Sequence, residues 1–494
     1  TGCNKCRSRK VKCDERKPTC ANCEKNGYAE CRYRDEFERT WRIQTDNKNK
    51  NKTVKTQKQR EQREPAETGS LKSVVFQRFL HDWAGGRDAV LGMSISWFGA
   101  LPTMYADASP GGLLHTSIQA LANANYGKRF GDGDTLRQSA SEYGQVLIML
   151  RETLPKIEVS TFQVLASIVM LGIYEALVAK SITVNGGWMS HMVGASMLLK
   201  REKKRLKTPL ELQVGAMITR QTLHASLITG QELPIHLEQG PASSPLLKHI
   251  YTQTSLVHQA ALLCTEWRQA FEEVDMGSSS GSGSGSGLEK LVAVAERALS
   301  LDRNLDEWSQ HLPGDLLYTV EPTSVSASPA WLQALLQGPW APQASHDYAT
   351  GSAEIVWRFQ WVARLILSQA LLHTDAEPVA ACRSQVEAGL LLAADRLCES
   401  CLSPFVAVSR DAPSKVSLED VPSLYGYLML QILPPAELCL KQVVVSHDLS
   451  GRQNWTRRMK AFLGQQMGYA KATVNVDPAR YSRLPIQMWG LTSE

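Results

Sequence analysis

The chain has 494 residues, 43% of them hydrophobic and 21% charged, with a net charge of +5. That length excludes a single small domain, and the composition is that of a globular chain. The charge is unevenly placed. Residues 1–64 carry 19 Lys/Arg against 10 Asp/Glu, a net +9, and the other 430 carry 35 against 39, a net −4. A basic head on a mildly acidic body points to a polyanion partner for the head alone.

Residues 1–36 hold six of the eleven cysteines, Cys3, Cys6, Cys13, Cys20, Cys23 and Cys31, in the spacing C-x2-C-x6-C-x6-C-x2-C-x7-C. Two residues between thiolates let both point at one metal, so each C-x2-C pair is a chelate unit. A disulfide framework also accommodates six cysteines, in about 15 connectivities, but it needs an oxidising compartment. No secretory leader is visible, although the chain begins at Thr1 rather than Met. The five other cysteines, Cys264, Cys382, Cys398, Cys401 and Cys439, lie mostly in apolar runs and read as reduced core thiols. A metal cage is therefore the preferred reading. Two tetrahedral zinc ions require about eight ligand positions. Six thiolates supply that number only if two of them bridge both metals.

Residues 37–70, with the run TDNKNKNKTVKTQKQREQREPAETGS, are polar and read as a flexible basic linker that cannot bury enough surface to offset its ordering entropy. Val54 is the one apolar residue between positions 44 and 64, so no heptad seam for a coiled coil exists there. The same basic clusters suit a nuclear import signal.

From residue 71 to 494 the pattern is helical. The run 162–179 is the best candidate for a membrane span, but it contains Gln163, Ser167 and Glu175 and reads as a core helix. WMSHMVGASMLLKREKKR places Trp188, Met192, Ala195, Leu198 and Leu199 on one face. LEKLVAVAERALSLDRNLDEW, AEIVWRFQWVARLILSQALLH and the stretches 384–401 and 455–472 repeat that style, and no alternating strand series stands out. GSSSGSGSGSG at 277–287 interrupts the body and is expected to be a disordered Gly/Ser linker, either a natural low-complexity insert or an engineered replacement of a longer loop. The fold class expected is a small metal-cluster domain, a flexible basic linker and a large all-α domain.

The stretch GCNKCRSRKVKCDERKPTCANCEKNGYAECRY, residues 2–33, resembles the fungal zinc binuclear cluster (Zn2Cys6) family, the DNA-binding domain of galactose-regulator-type transcription factors. The resemblance implies two Zn²⁺ ions, with Cys3 and Cys20 bridging, Cys6 and Cys13 completing one site, and Cys23 and Cys31 the other. It implies a sequence-specific, nuclear transcription factor of RNA polymerase II genes that reads CGG-type triplets in the major groove of double-stranded DNA. The basic pair Arg9 and Lys10 would touch bases, and Lys5, Arg7 and Lys12 phosphates. EYGQVLIMLRETL, IVMLGIYEALV, GGWMSHMVGASMLLKRE and LDEWSQHLP resemble the fungus-specific regulatory domain that follows such clusters. That resemblance implies regulation by a small-molecule effector or coregulator and homodimerisation through the helical body.

The competing reading is an effector-binding or catalytic helical protein tethered to DNA by the cluster. The chain has no G-x-S-x-G, H-E-x-x-H, Walker or G-x-G-x-x-G signature, so no enzymatic role is expected. GDGD at 131–134 reads as a surface turn, the Cys398/Cys401 pair as neighbours on one helix face, and His191 as a core histidine. Trp188, Trp308, Trp357 and Trp361 read as core in preference to the walls of an effector pocket.

Overall fold

The computed structural model describes residues 3, 6, 9, 11–14, 19–26, 66–84, 97–155, 161–178, 187–202, 206–229, 232–235, 245–280, 284–373, 377–410, 416–443 and 445–473. The chain divides into two units, Thr1–Arg63 and Glu64–Glu494. The first holds a four-residue helix, α1 (Ala21–Glu24), whose N-cap Cys20 accepts the Cys23 amide on its sulfur.

The second unit opens with α2 (Ala66–Ala84), which begins inside the stretch 37–70 expected as linker. Val75, Phe79 and Trp83 recur at four-residue intervals and are buried. Once that stripe is packed, a helix extends at one hydrogen bond per residue, so its first turn reaches into polar sequence. Residues 37–65 lie outside the described residues.

Helices α3 (Leu101–Asp107), α4 (Leu113–Phe130), α5 (Gly133–Thr153), α6 (Thr161–Val178) and α7 (Gly187–Glu202) follow. α4 packs on α5 and α6, and α6 on α7. The first half of GDGD, Gly131 and Asp132, joins α4 to α5, and its second half opens α5. Gly131 takes φ 70° beyond the end of α4, and the Asp132 carboxylate caps α5 by accepting from the Asp134 and Thr135 amides. The 162–179 run is a core helix, with Val164 to Leu171 buried without a break. Gly172 lets α7 approach closely, since a Cβ there would lie 2.6 Å from Met192 Cε. Among the described residues no helix is long and apolar enough to cross a membrane.

Next come α8 (Pro209–Thr229), α9 (Pro245–Ser280) and α10 (Ser284–Gln310). α9 and α10 lie side by side, tied by Lys290–Glu273 at 2.6 Å and by Arg297–Glu266. Their ends enter the Gly/Ser stretch 277–287, expected there as irregular chain; helix persists to Ser280 and resumes at Ser284. Two packed helices continue past their last anchored turn more readily than an isolated Gly/Ser segment would form one. Residues 281–283 lie outside the described residues.

The all-α expectation holds for the bulk of the body, with one addition. β1 (Tyr318–Pro322) pairs antiparallel with β2 (Ala344–Tyr348), Tyr318 opposite Tyr348 and Val320 opposite His346, with α11 (Ala330–Leu336) between them in sequence. Each strand is five residues long, and β1 is mostly exposed. ASHDY has no apolar alternation, so sequence pattern carries no strand signal there.

α12 (Gly351–Leu372) is buried nearly all round and packs against α9, α10, α14 (Arg383–Ser409) and α15 (Ser423–Gln442). The short α13 (Glu377–Ala380) leads into α14, and α16 (Ser450–Gln465) packs on α15. Pro404 lies inside α14 and has no amide hydrogen for the Ser400 carbonyl. The buried Arg358 guanidinium of α12 donates to that carbonyl at 2.9 Å instead. A second buried network joins α2 to α4. Asp82 accepts from Arg78 at 2.7 Å and from Asn125 at 2.7 Å, and lies 3.5 Å from Arg129. Arg129 also holds the carbonyls of Leu418 and Val421.

Candidate metal centre and nucleic-acid interface

The described core of the head is made of sulfur. Cys3, Cys6, Cys20 and Cys23 are fully buried, with Cys13 packed against them. None of these five is in a disulfide. The sulfur atoms of Cys3, Cys6, Cys13 and Cys20 all lie within 4.8 Å of one another. Cys6 Sγ is 3.5 Å from Cys20 Sγ, Cys3 Sγ is 3.8 Å from Cys20 Sγ, and Cys23 Sγ is 3.6 Å from Cys3 Sγ. A tetrahedron of thiolates about a zinc, with Zn–S near 2.3 Å, has an edge of roughly 3.8 Å. A disulfide would need about 2.05 Å. The donor set and its spacing therefore fit zinc.

Local structure positions these sulfurs. The Cys6 amide donates to Cys3 Sγ, the Cys3 amide to Cys13 Sγ and the Cys23 amide to Cys20 Sγ, at 3.4–3.5 Å. Such donors favour the thiolate form. Burial acts the other way and pushes the Cys6 and Cys20 thiols up, so a cation is what lets these packed sulfurs remain ionised together. The second half of the head is clipped to the first by the Asp14 carboxylate, which accepts the Ala21 amide at 3.0 Å. The Asn22 side chain donates to the Lys12 carbonyl.

Of the basic residues singled out for DNA, Arg9 and Lys12 are described and both are exposed. Arg9 donates to Asn26 Oδ1 at 3.2 Å, a bond it must exchange to reach a base edge. Lys5, Arg7, Lys10 and the sixth cysteine, Cys31, lie outside the described residues.

In the body, His191 is buried, 3.1 Å from the Tyr143 hydroxyl, which donates to Glu175 at 2.5 Å. Burial pulls the His191 imidazole down to about 3, so it is neutral at physiological pH. Cys398 and Cys401 are buried on α14, and burial pushes Cys401 up to about 12, which suits packed thiols rather than nucleophiles. Trp308 and Trp357 meet edge to face at 5.7 Å, and Trp357 stacks on Trp361 at 5.1 Å. Their indoles, like Trp188, are core. A cavity in the body is instead lined by Trp83 and Trp97, which sequence reasoning did not single out; no local pattern distinguishes a Trp on a cavity wall from one in a core.

Residues 1–40 match the model of the fungal Zn(2)-Cys(6) binuclear cluster domain. No curated protein and no solved structure matches the chain. The head is thus a fungal zinc binuclear cluster domain, of a family that binds two zinc ions and serves DNA-binding transcription factors rather than enzymes.

Proposed function

We propose that this zinc-cluster domain makes the chain a sequence-specific, nuclear transcription factor of RNA polymerase II genes. The head reads CGG-type triplets in the major groove, and the helical body regulates that activity or dimerises. The observation that carries the reading is the packed sulfur cluster of Cys3, Cys6, Cys13, Cys20 and Cys23 beside exposed Arg9 and Lys12. In this reading Cys3 and Cys20 bridge two zinc ions, Cys6 and Cys13 complete one site, and Cys23 and Cys31 the other. The contact of Cys3 with Cys20 on one side and Cys23 on the other supports a shared role for Cys3. Arg9 and Lys10 donate to guanine O6 and N7, and Lys5, Arg7 and Lys12 hold phosphates.

A titration of the zinc-loaded chain against CGG-containing and scrambled duplexes over a range of salt tests this. The expected result is a preference for CGG and an affinity that falls steeply with salt. Equal affinity for both duplexes overturns the triplet assignment. Lys10→Ala should weaken specific binding by about 1–3 kcal/mol, while a phosphate contact such as Lys12→Ala should weaken both duplexes alike. The mass of the complex in solution gives the number of chains per site and so tests dimerisation.

A further inference from the structure

The body contains a cavity of about 120 Å³ that DNA binding does not use. Its walls come from the end of α2, the Trp97–Ala100 turn, α8, the end of β2 with His346 and Tyr348, the start of α12, α14 and α15. Trp97 and Phe98, stacked at 4.9 Å, supply apolar surface together with Phe359. In this apolar setting stands Arg220 of α8. Among the described residues it makes no hydrogen bond and no ion pair, and burial lowers its guanidinium to about 10. The one carboxylate on the cavity wall, Glu354, is ion-paired with Arg358, so the cavity holds a net positive charge.

Three further features point the same way. The N-terminus of the 22-residue helix α12, at Thr350 and Gly351, lines the same cavity and adds the positive end of a helix dipole. Two buried amide atoms on its wall, Gln431 Nε2 and Gln221 Oε1, have no hydrogen-bond partner, and unmet buried polar groups are costly. The size sets the scale of an occupant, since an apolar cavity of about 150 Å³ accepts benzene.

We propose that this cavity binds a small organic carboxylate with an apolar body no larger than a single ring or a short branched chain. The carboxylate sits on Arg220, whose planar guanidinium suits two-point contact, with Gln431 Nε2 as a further donor. The apolar body lies against Trp97, Phe98 and Phe359. This names the chemistry of an effector for the body, and it stands on the cavity alone, so it can fail while the DNA reading holds.

The test is calorimetric titration of the full zinc-loaded chain, without DNA, with benzoate, 3-methylbutanoate, benzamide and inorganic phosphate. At least one of the two carboxylates should saturate one site per chain. Benzamide and phosphate should each bind at least tenfold more weakly. Arg220→Gln should abolish the preference for benzoate over benzamide. Its unfolding temperature should change little, because the half-buried cation removed makes no ion pair among the described residues. Failure of both carboxylates to bind at millimolar concentration overturns the proposal. So does equal binding of benzamide, or of phosphate, to the wild-type chain, a comparison that requires no variant. Unchanged carboxylate binding by a folded Arg220→Gln chain overturns the role of Arg220.

Discussion

The two units of this chain solve the same stability problem in opposite ways. In the head, the described core is five cysteine sulfurs and little else. In the body, Trp83, Trp97, Trp267 and Trp455 are almost completely buried, and most charged groups that enter the interior do so with partners, as Lys460 does with Glu437 at 2.6 Å; Arg220 is the exception among the described residues. A unit of about 60 residues buries too little apolar surface to outweigh its chain entropy, so metal binding becomes its folding free energy. The body is large enough to do without a metal and offsets the cost of buried ions such as Asp82 and Lys460 by pairing them with counter-charges. What the difference teaches is that one reagent, a chelator, should dissect the molecule.

The largest effect expected follows from that contrast. Removing zinc from the head withdraws on the order of 10–16 kcal/mol per structural ion. It should abolish DNA binding while leaving the helical circular-dichroism signal and melting of the body intact. Metal analysis should return two zinc ions per chain, and a body that melts with the chelator would break the comparison.

Next in size is Asp82→Asn, which leaves Arg78 and Arg129 facing a neutral amide. A loss of about 3–5 kcal/mol in urea unfolding of the body is expected, with zinc content unchanged. Burial alone would raise the Asp82 carboxyl, but the hydrogen bonds from His81 and Arg78 and the charge of Arg129 win and hold it below its ordinary value. Its folded value being the lower one, the stabilisation is complete above the ordinary carboxylate range, near pH 4, and is lost as pH falls through that range toward the folded value. The wild-type body should therefore lose more stability in that window than Asp82→Asn does.

Smaller effects sharpen the picture within the body. An interior proline normally costs about 3 kcal/mol relative to alanine. Because Arg358 already satisfies the Ser400 carbonyl, Pro404→Ala should gain less than about 1 kcal/mol in denaturant unfolding. The smallest expected change is Arg297→Ala, which removes an exposed pair with Glu266 and should cost only about 0.2–1 kcal/mol, less in high salt.

Much of this was legible in the chain. The spacing of Cys3, Cys6, Cys13 and Cys20 pointed to zinc, because chelation by two thiolates is a local property of two intervening residues. The helices of the body followed from apolar periodicity, and GDGD read correctly as a turn because glycine and aspartate carry their capping chemistry with them. The paired strands at 318–322 and 344–348 were not legible, since their pairing depends on packing rather than pattern. Nor was the onset of α2 at Ala66, which takes in the last five residues of the polar stretch ending at 70. Arg220 gave no signal, because a lone arginine on a helix ordinarily faces solvent.

The amino-acid sequence by itself determined the metal, the family of the head and the helical class of the body, since each rests on short-range spacing or periodicity. Only the tertiary structure decided which indoles wall a cavity, that Arg358 replaces the amide Pro404 lacks, and that Arg220 meets no counter-charge among the described residues. Those facts depend on residues far apart in the chain meeting in space, 42 positions for Arg358 and Ser400, and no local pattern encodes such a meeting.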